Sequence, residues 1–238
     1  MKIISFYNAK GGTGKTSLCY LSGLYLAEKG NKVLFVDLDS QCSLTGAITE
    51  NRENNIFQVL SSQIKITESI QKTENPNIDI LPGTIQILKI QNSVLHNSLE
   101  KQFNQLNYDF VLLDCPPSYH NLIVSAIYTS DLLVIPSLLS LFDVESVIFT
   151  LNEARDIKAN LNTSIVLNRI NKNTKEVDEY MEMLQDTDAN INTFRNDISV
   201  RRVIDRKDSL ELKRNLKLLT QLEDFINSTL LKQSEASE

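Results

Sequence analysis

A glycine-rich segment with two lysines follows an apolar run near the start of the sequence. A strand that ends in glycines and restarts as a helix turns backbone N–H groups toward one hollow at the positive end of the helix. From such a segment, Lys15 can reach the β- and γ-phosphate oxygens of a nucleotide, and the Thr16 hydroxyl can ligate Mg²⁺. The segment therefore predicts a cradle for a polyphosphate. It consists of Lys10, Gly11, Gly12, Thr13, Gly14, Lys15, Thr16 and Ser17.

Carboxylates follow two later apolar runs. Asp37 and Asp39 come after residues 32–36, and Asp114 ends the run that begins at residue 108. Ligands of an open α/β sheet bind beyond the carboxyl ends of its strands, so we expect these acids beside the glycine-rich segment. An alternative is that Asp37 and Asp39 only cap the helix that follows them. A strand-ending acid such as Asp114 would be unremarkable without a phosphate cradle earlier in the chain.

The cradle departs from the ordinary phosphate-loop pattern at one position. That pattern requires a glycine six residues before the lysine, whereas this chain has Ala9 there and an additional lysine, Lys10, directly after it. This arrangement resembles the deviant Walker A box of the ParA/MinD superfamily, although a chance glycine-rich turn is the alternative. The resemblance implies that Lys10 reaches across a dimer interface to the phosphates of the partner's nucleotide. It makes Lys10, Lys15 and Asp39 the catalytic residues.

The same resemblance assigns roles to the carboxylates. It implies that Asp37 and the Walker B acid Asp114 hold Mg²⁺ through water, while Thr16 binds the ion directly. Asp39 lies in the first switch and would position the attacking water. Ser40 and Cys42 depart from the proline and glycine that the family usually has in this switch, a difference that bears on its stiffness.

Other polar residues follow the later apolar runs. Asn168 can pair with an adenine edge and Arg169 can stack on the ring face; the resemblance implies these roles, although both residue types are common in loops. Glu145 matches a family glutamate near the dimer interface and is otherwise an ordinary helix residue. His120 is interpreted as a surface or capping group rather than a catalytic base.

Positive charge is concentrated late in the sequence. Residues 195–217 contain eight lysines and arginines and four acids, a balance of +4, so the remainder carries −10 of the total of −6. A charge run is usually a solvated helical face. Its match to the DNA-contacting region of the family implies instead that it binds DNA without sequence preference. The predicted contacts are Arg195, Arg201, Arg202 and Arg206.

Length and composition limit the choice of fold. With 238 residues, 42% of them hydrophobic, the chain is expected to form one domain at residues 1–231 and a flexible tail at residues 232–238. Apolar runs that alternate with helical patterns predict an α/β fold, a mostly parallel twisted sheet with helices on both faces. The resemblance identifies it with the P-loop NTPase fold. Helices are predicted at residues 84–105, 142–160 and 215–231, among others.

Cysteine spacing and hydropathy restrict the compartment. The three cysteines are 23 and 73 residues apart, which excludes a C-x-x-C pair and predicts reduced thiols. No run approaches the about 20 apolar residues that span a bilayer. Because the phosphate cradle starts so early, residues 1–7 are expected to be a strand rather than a signal peptide. We therefore expect a cytoplasmic protein that does not bind membranes, and the resemblance implies that it is nucleoid-associated.

The resemblance implies a small ParA-type partition ATPase that uses ATP and Mg²⁺. An ATP-dependent sandwich homodimer would bind non-specific DNA, and a centromere-binding ParB-like partner would stimulate hydrolysis of ATP to ADP and phosphate. Because the nucleotide loop begins at residue 8, no N-terminal DNA-reading domain is expected. Two alternatives are a MinD-like membrane-cycling regulator, disfavoured by the acidic end of the last predicted helix, and ParA-like positioning of a protein cargo. An iron–sulfur assembly ATPase would need a cysteine pair that this chain lacks.

Overall fold

Eight strands form one sheet in the computed structural model, which describes residues 1–138, 140–170, 175–185, 187–195 and 216–231. Along the sheet their order is β3-β4-β2-β5-β1-β6-β7-β8. All neighbouring pairs are parallel except the short edge strand β3, which pairs antiparallel to β4. The strands are β1 Lys2–Phe6, β2 Val33–Asp37, β3 Gln71–Lys72, β4 Ile78–Leu81, β5 Phe110–Asp114, β6 Leu132–Ser137, β7 Asn162–Ile170 and β8 Asn190–Arg195.

Helices connect successive strands, as parallel pairing requires. In the described part of the chain they are α1 Lys15–Glu28, α2 Ser43–Ile48, α3 Ile56–Leu60, α4 Ile66–Ser69, a 3₁₀ helix Ile85–Lys89, α5 Ser98–Phe103, α6 Asn121–Thr129, α7 Leu141–Ile157, α8 Lys175–Leu184 and α9 Leu216–Phe225, which continues as a π-helical segment Ile226–Leu231. No helix among these residues is both long enough and apolar enough to cross a bilayer.

Two hydrophobic cores lie on opposite faces of the sheet. Side chains alternate along each strand, so Ile4 and Phe6 of β1 enter one core while Ile3 and Tyr7 enter the other. Helices α1 and α9 cover the first face, and α3, α5, α6 and α7 contribute buried residues to the second. This layering confirms the predicted mostly parallel sheet with helices on both faces. The three cysteines are unpaired and buried, as predicted.

The register of the central strands brings the candidate residues to one end of the sheet. Asp37 at the end of β2 is paired with Asp114 at the end of β5, and Phe6 of β1 is paired with the same Asp114. The loop that leaves β1 therefore emerges beside both carboxylates. The expectation that the acids lie beside the glycine-rich segment is confirmed at the level of strand register.

The predicted single helix at residues 84–105 is wrong. The chain forms the 3₁₀ helix Ile85–Lys89, then turns, and only then the six-residue helix α5. The proposed apolar stripe does not share one environment, because Ile87 and Val94 are buried whereas Leu95 is 64% exposed. The turns are held from outside the segment, since the N–H of Leu122 donates to the carbonyl of Gln91. Tertiary contacts thus outweigh the helical spacing.

Candidate nucleotide site

The phosphate loop, residues 8–17, connects β1 to α1 and is anchored at its first residue. Asn8 is fully buried, and its side-chain amide donates to the carbonyl of Pro136 at 2.8 Å. Its side-chain oxygen accepts from the backbone N–H of Lys10 at 2.9 Å and from the hydroxyl of Ser146 at 2.6 Å. Gly14, immediately before α1, has φ +100°, a conformation that a side chain disfavours. The loop is therefore preorganised at the positive end of α1.

Lys15 projects its ammonium back over this loop. It is only 6% exposed, and Nζ donates to the carbonyl of Lys10 at 2.9 Å and to that of Asn8 at 3.2 Å. Burial lowers the pKa of Lys15, and the nearby carboxylates of Asp114 and Asp39 oppose that shift. Two backbone carbonyls therefore accept hydrogen bonds from the Lys15 ammonium. The phosphate oxygens of a nucleotide could take their place.

Asp37 is a fully buried carboxylate held by three backbone or hydroxyl donors. Its Oδ2 accepts from the backbone N–H of Thr45 at 2.8 Å and from the Thr45 hydroxyl at 2.7 Å, while its Oδ1 accepts from the N–H of Asp39 at 3.1 Å. Burial raises the pKa of Asp37 to about 6, although these hydrogen bonds act in the opposite direction. Asp37 does cap the first turn of α2, as the alternative interpretation predicted, but it also lies beside Asp114.

Asp114 lacks the partners that Asp37 has. It is fully buried, and within the described residues neither carboxylate oxygen has a partner of good hydrogen-bond geometry. Burial, and next the charge of Asp37, raise the pKa of Asp114 well above its usual range; the nearby Thr16 hydroxyl and Lys15 ammonium lower it. Buried polar atoms are nearly always paired. A water-coordinated cation, or water alone, would supply the missing donors, so this pair of acids fits Mg²⁺ held through water.

Lys10 of the phosphate loop forms an ion pair with helix α7 of the same chain. Its ammonium lies 2.7 Å from Oδ1 of Asp143, a side chain that is only 2% exposed, and 3.5 Å from the Ser140 hydroxyl. Ser140 is the N-cap residue of α7 and hydrogen-bonds to Asp143. The side chain that the resemblance assigns to a partner's nucleotide is therefore paired within the chain when no partner is present.

The loop also touches the end of β7. The side-chain amide of Asn168 donates to the carbonyl of Thr13 at 3.0 Å, and its oxygen accepts from the N–H of Arg169 at 2.9 Å. A Cβ at Gly14 would overlap that amide. Arg169 is exposed with φ +58°, next to an irregularity in the pairing of β7 with β8. Asn168 is thus brought to the phosphate loop, whereas Arg169 contacts Asn168 through its backbone.

Comparison with known proteins agrees with this geometry. A family model described as an AAA domain matches residues 1–167. The sporulation initiation inhibitor protein Soj of Bacillus subtilis is 31% identical over 176 residues, which cover 70% of each chain. The chain belongs to the ParA/MinD family of P-loop ATPases.

Two further relatives extend the comparison. The cell division protein PomZ of Myxococcus xanthus is 31% identical to this ParA/MinD protein over 197 residues, 76% of this chain and 61% of PomZ. The structure of a plasmid partition protein of Borrelia burgdorferi bound to AMPPNP has a TM-score of 0.85 and 24% identity, covering 97% of this chain and 99% of that chain. At that identity the structural likeness shows the fold, which is the predicted P-loop NTPase fold.

The segment that the resemblance assigns to the first switch contains Ser40 and Cys42, the two departures from the family pattern, and leads directly into α2. The N–H of Cys42 donates to the carbonyl of Asp39 at 2.9 Å, and Cys42 has φ +54°, the left-handed conformation that glycine adopts at least cost. Asp39 is partly exposed and accepts from the N–H of Gln41 at 2.9 Å.

Several site contacts were not anticipated from the sequence. Thr45 and Asp143 each bind a predicted site residue, yet in the sequence Thr45 looks like an ordinary helix residue and Asp143 like an N-terminal capping acid. His120 is the N-cap residue of α6 but is buried, with neither ring nitrogen paired among the described residues, and burial lowers its pKa. Glu145 is exposed on α7.

The predicted DNA contacts are mostly outside the described residues. Arg201, Arg202 and Arg206 lie there, and of Arg195 only the backbone, at the end of β8, is described. Nothing in the geometry above bears on them.

Proposed function

We propose that the protein is a ParA-type partition ATPase that hydrolyses ATP to ADP and phosphate. The observation that carries the proposal is the buried Lys15 ammonium over the phosphate loop, beside the paired acids Asp37 and Asp114. The phosphates of ATP would lie along residues 10–17, and Asn168 and Arg169 would contact its adenine base. Thr16 would bind Mg²⁺ directly, and Asp37 and Asp114 would do so through water. Bound Mg²⁺ supplies charge neutralisation at the phosphate oxygens.

The chain's own residues divide the catalytic work. Lys15 would bind the β- and γ-phosphates, and Asp39, which is partly exposed at the same end of the sheet, would orient the attacking water. Lys10 would leave Asp143 and bind the phosphates of the partner's nucleotide. Positioning of an attacking group is worth a large part of a phosphoryl-transfer barrier. An ATPase of this kind is therefore slow until a partner completes the arrangement.

Exposed apolar side chains support a homodimer that forms through this end of the sheet. Tyr119 follows β5, and Phe142 and Phe149 lie on α7, which follows β6. They are 42%, 76% and 44% exposed, and the Tyr119 and Phe149 rings are 6.0 Å apart. Large apolar side chains grouped on a surface are typical of interaction sites. A second copy facing this end would cover them and bring Lys10 toward the partner's nucleotide.

The ATP dimer would bind DNA without sequence preference through the basic stretch at residues 195–217, with Arg195, Arg201, Arg202 and Arg206 as contacts. A ParB-like, centromere-binding protein would stimulate hydrolysis and release the DNA. The protein would then be cytoplasmic and nucleoid-associated, with residues 1–231 as one ATPase domain and residues 232–238 as a flexible tail. Its relationship to Soj supports this proposal.

A MinD-like membrane cycle is the less favoured alternative. It would need a free apolar face on the last helix. In α9 and the π-helical segment, Leu218, Leu222, Phe225 and Ile226 are at most 2% exposed and pack in the core with α1. The exposed residues there include Glu223 and Asp224, which disfavour an anionic membrane surface.

Positioning of a protein cargo is a second candidate, favoured by the similarity to the cell division protein PomZ. It would use the same nucleotide cycle with a different partner. The product of the neighbouring gene distinguishes the two: a small DNA-binding protein indicates partition, and a component of a protein assembly indicates cargo positioning.

Two variants test the proposed ATPase. Lys15→Ala should lower nucleotide affinity by about 100-fold or more, because it removes a buried cation from the phosphate site. Asp39→Ala should retain ATP binding and dimerisation but lose about 100-fold or more in turnover, because it removes only the group that orients water. Equilibrium binding and phosphate release measure the two effects. Lys29→Ala, at the exposed end of α1, is the control; unchanged turnover in Asp39→Ala would contradict the assignment.

A further inference from the structure

The short helix α2 contacts the nucleotide site through one side chain, Thr45. Thr45 is fully buried in the first turn of α2, eight residues after Asp37. Its backbone N–H and its hydroxyl both donate to the same carboxylate oxygen, Oδ2 of Asp37. The N-cap position of α2 is Cys42, whose side chain makes no capping bond. The Asp37 carboxylate therefore takes the place of the missing cap.

The Thr45 hydroxyl is also an acceptor, and its donor comes from the adjacent strand. The backbone N–H of Gly83, just after β4, donates to Thr45 Oγ1 at 2.8 Å. Because the Gly83 N–H points at the hydroxyl oxygen, the hydroxyl proton is directed away from Gly83 and toward Oδ2 of Asp37. Through these two hydrogen bonds, the hydroxyl links the residue that follows β4 to the carboxylate at the end of β2.

Gly83 also leaves the carboxylate just enough room. A Cβ at this position would lie 2.9 Å from Cγ of Asp37 and 3.0 Å from its backbone oxygen, closer than unstrained contacts allow. Asp37 is consequently bounded by Gly83 on one side and by Thr45 on another, and its Oδ1 holds the N–H of Asp39. The orientation of one carboxylate is set by groups on three segments of the chain.

We infer that Thr45, backed by Gly83, is a positioning residue that holds Asp37 in the orientation needed to bind a Mg²⁺-nucleotide complex. The inference rests on the proposed function. Oδ2 accepts two hydrogen bonds from Thr45, and Oδ1 accepts one from the N–H of Asp39. The remaining lone pair of Oδ1 is left to accept a hydrogen bond from metal-bound water. Groups that orient a metal-binding residue from behind typically change metal affinity by about 10- to 100-fold when removed.

The test measures binding rather than turnover. A fluorescent, non-hydrolysable ATP analogue is titrated at a series of Mg²⁺ concentrations, and the Mg²⁺ concentration for half-maximal binding is compared among variants. Thr45→Val keeps the shape of the side chain and removes the hydroxyl, and it should raise this concentration by about 10-fold or more. Thr45→Ser keeps the hydroxyl and should stay within about threefold of the parent.

Two controls separate positioning from general damage. Thr49→Val makes the same chemical change one turn later in the chain, where the hydroxyl contacts Gln71 and Asn51 instead of Asp37, and it should match the parent. Binding of the analogue in the presence of a chelator should be equal in Thr45→Val and the parent, because Lys15 and the loop are unchanged. Circular dichroism establishes that each variant is folded.

The outcomes are distinct. A parent that does not bind the analogue in a Mg²⁺-dependent way contradicts the proposed function. A parent that does so, together with a folded Thr45→Val that needs the same Mg²⁺ concentration, overturns the inference alone. If Thr45→Val does not fold, Gly83→Ala replaces it, because its added Cβ displaces Asp37 while the Thr45 hydroxyl remains. Gly83→Ala should likewise raise the required Mg²⁺ concentration, and parental behaviour in that variant overturns the inference.

Discussion

Lys10 has a partner in the single chain that it must give up in order to act in a dimer. The Asp143 carboxylate is nearly inaccessible to solvent, whereas Lys10 is 36% exposed. Withdrawal of the ammonium would leave a buried carboxylate without its cation, which is costly, so we expect the ion pair to break only where the phosphates of a nucleotide on a second chain offset that cost. The pair therefore holds Lys10 close to the loop, and the proposed contact with a partner's nucleotide would have to replace it.

Lys10→Ala is expected to bind nucleotide as a monomer but to form no dimer with a non-hydrolysable ATP analogue. Without the partner's lysine, two sets of phosphates would face each other uncompensated across the interface. Light scattering and equilibrium binding measure the two properties. Asp143→Asn is the matched control, since it breaks the ion pair and keeps Lys10; it should dimerise at an analogue concentration no higher than the parent requires. An undiminished dimer in Lys10→Ala would show that the lysine does not act in trans.

The sequence reveals site residues that belong to a local pattern and hides those that depend on packing. Asp37 and Asp114 were predictable as candidates because each ends an apolar run that folds as a buried strand, and Lys15 because it belongs to the glycine-rich segment that follows such a run. Thr45 and Asp143 lie on helices whose placement is decided by tertiary contacts. A threonine in the first turn of a short helix carries no local signal that it will meet a carboxylate eight residues earlier.

Among the elements, strands were predicted more accurately than the irregular helical segment at residues 84–105. A strand buried on both faces reads as a continuous apolar run, and β2, β5 and β6 each have one. The segment that follows β4 has apolar residues at helical spacing, yet it also contains Asn92, Ser93, Asn97 and Ser98, which favour turns. There the turn formers and the packing against α6 outweigh the spacing.

Helix α1 lies close to β2 at one glycine. A Cβ at Gly23 would overlap the Phe35 ring, so Gly23→Ala should be destabilising even though alanine is the better helix former by about 1 kcal/mol. Overpacking in a core costs about 1–3 kcal/mol, which exceeds that gain.

Denaturant unfolding of Gly23→Ala should therefore show a net loss of up to about 2 kcal/mol, the overpacking cost less the gain in helix propensity. Ser22→Ala, at the neighbouring position, removes a buried hydroxyl that has no hydrogen-bond partner among the described residues. It should be neutral or slightly stabilising. A more stable Gly23→Ala would mean that α1 can move away from β2 at little cost.

For the whole molecule, the charge distribution predicts where DNA binds. Arg201→Ala combined with Arg202→Ala should abolish retention on non-specific DNA in the presence of ATP, while nucleotide-dependent dimerisation is kept. Where binding persists at lower salt, its salt dependence should be shallower, by about one in the slope of log affinity against log salt for each arginine–phosphate pair that the substitutions remove. The proposed ATP dimer would join two such stretches, so the effect would be magnified by effective concentration.

The control for this experiment removes equal charge elsewhere. Lys65 and Lys101 are exposed and lie outside the basic stretch, so the double alanine variant at these positions has the same net charge as the arginine variant. DNA retention should fall in the arginine variant alone. Equal retention in the arginine variant and the parent would place the DNA surface elsewhere.

The core on the α1 face joins residues that are synthesised far apart in time. Ile4 and Phe6 of β1 share it with Leu222 and Ile226, and the hydroxyl of Tyr25 donates to Glu223 at a separation of 198 residues. Contacts of such long range are slow to form, because a large loop must be closed before they contribute. On the ribosome, the helix that follows the phosphate loop therefore stays without its covering layer until residue 226 has emerged. Complete packing of this helix is thus a late event in the synthesis of the chain, although the residues of the predicted phosphate cradle are made early.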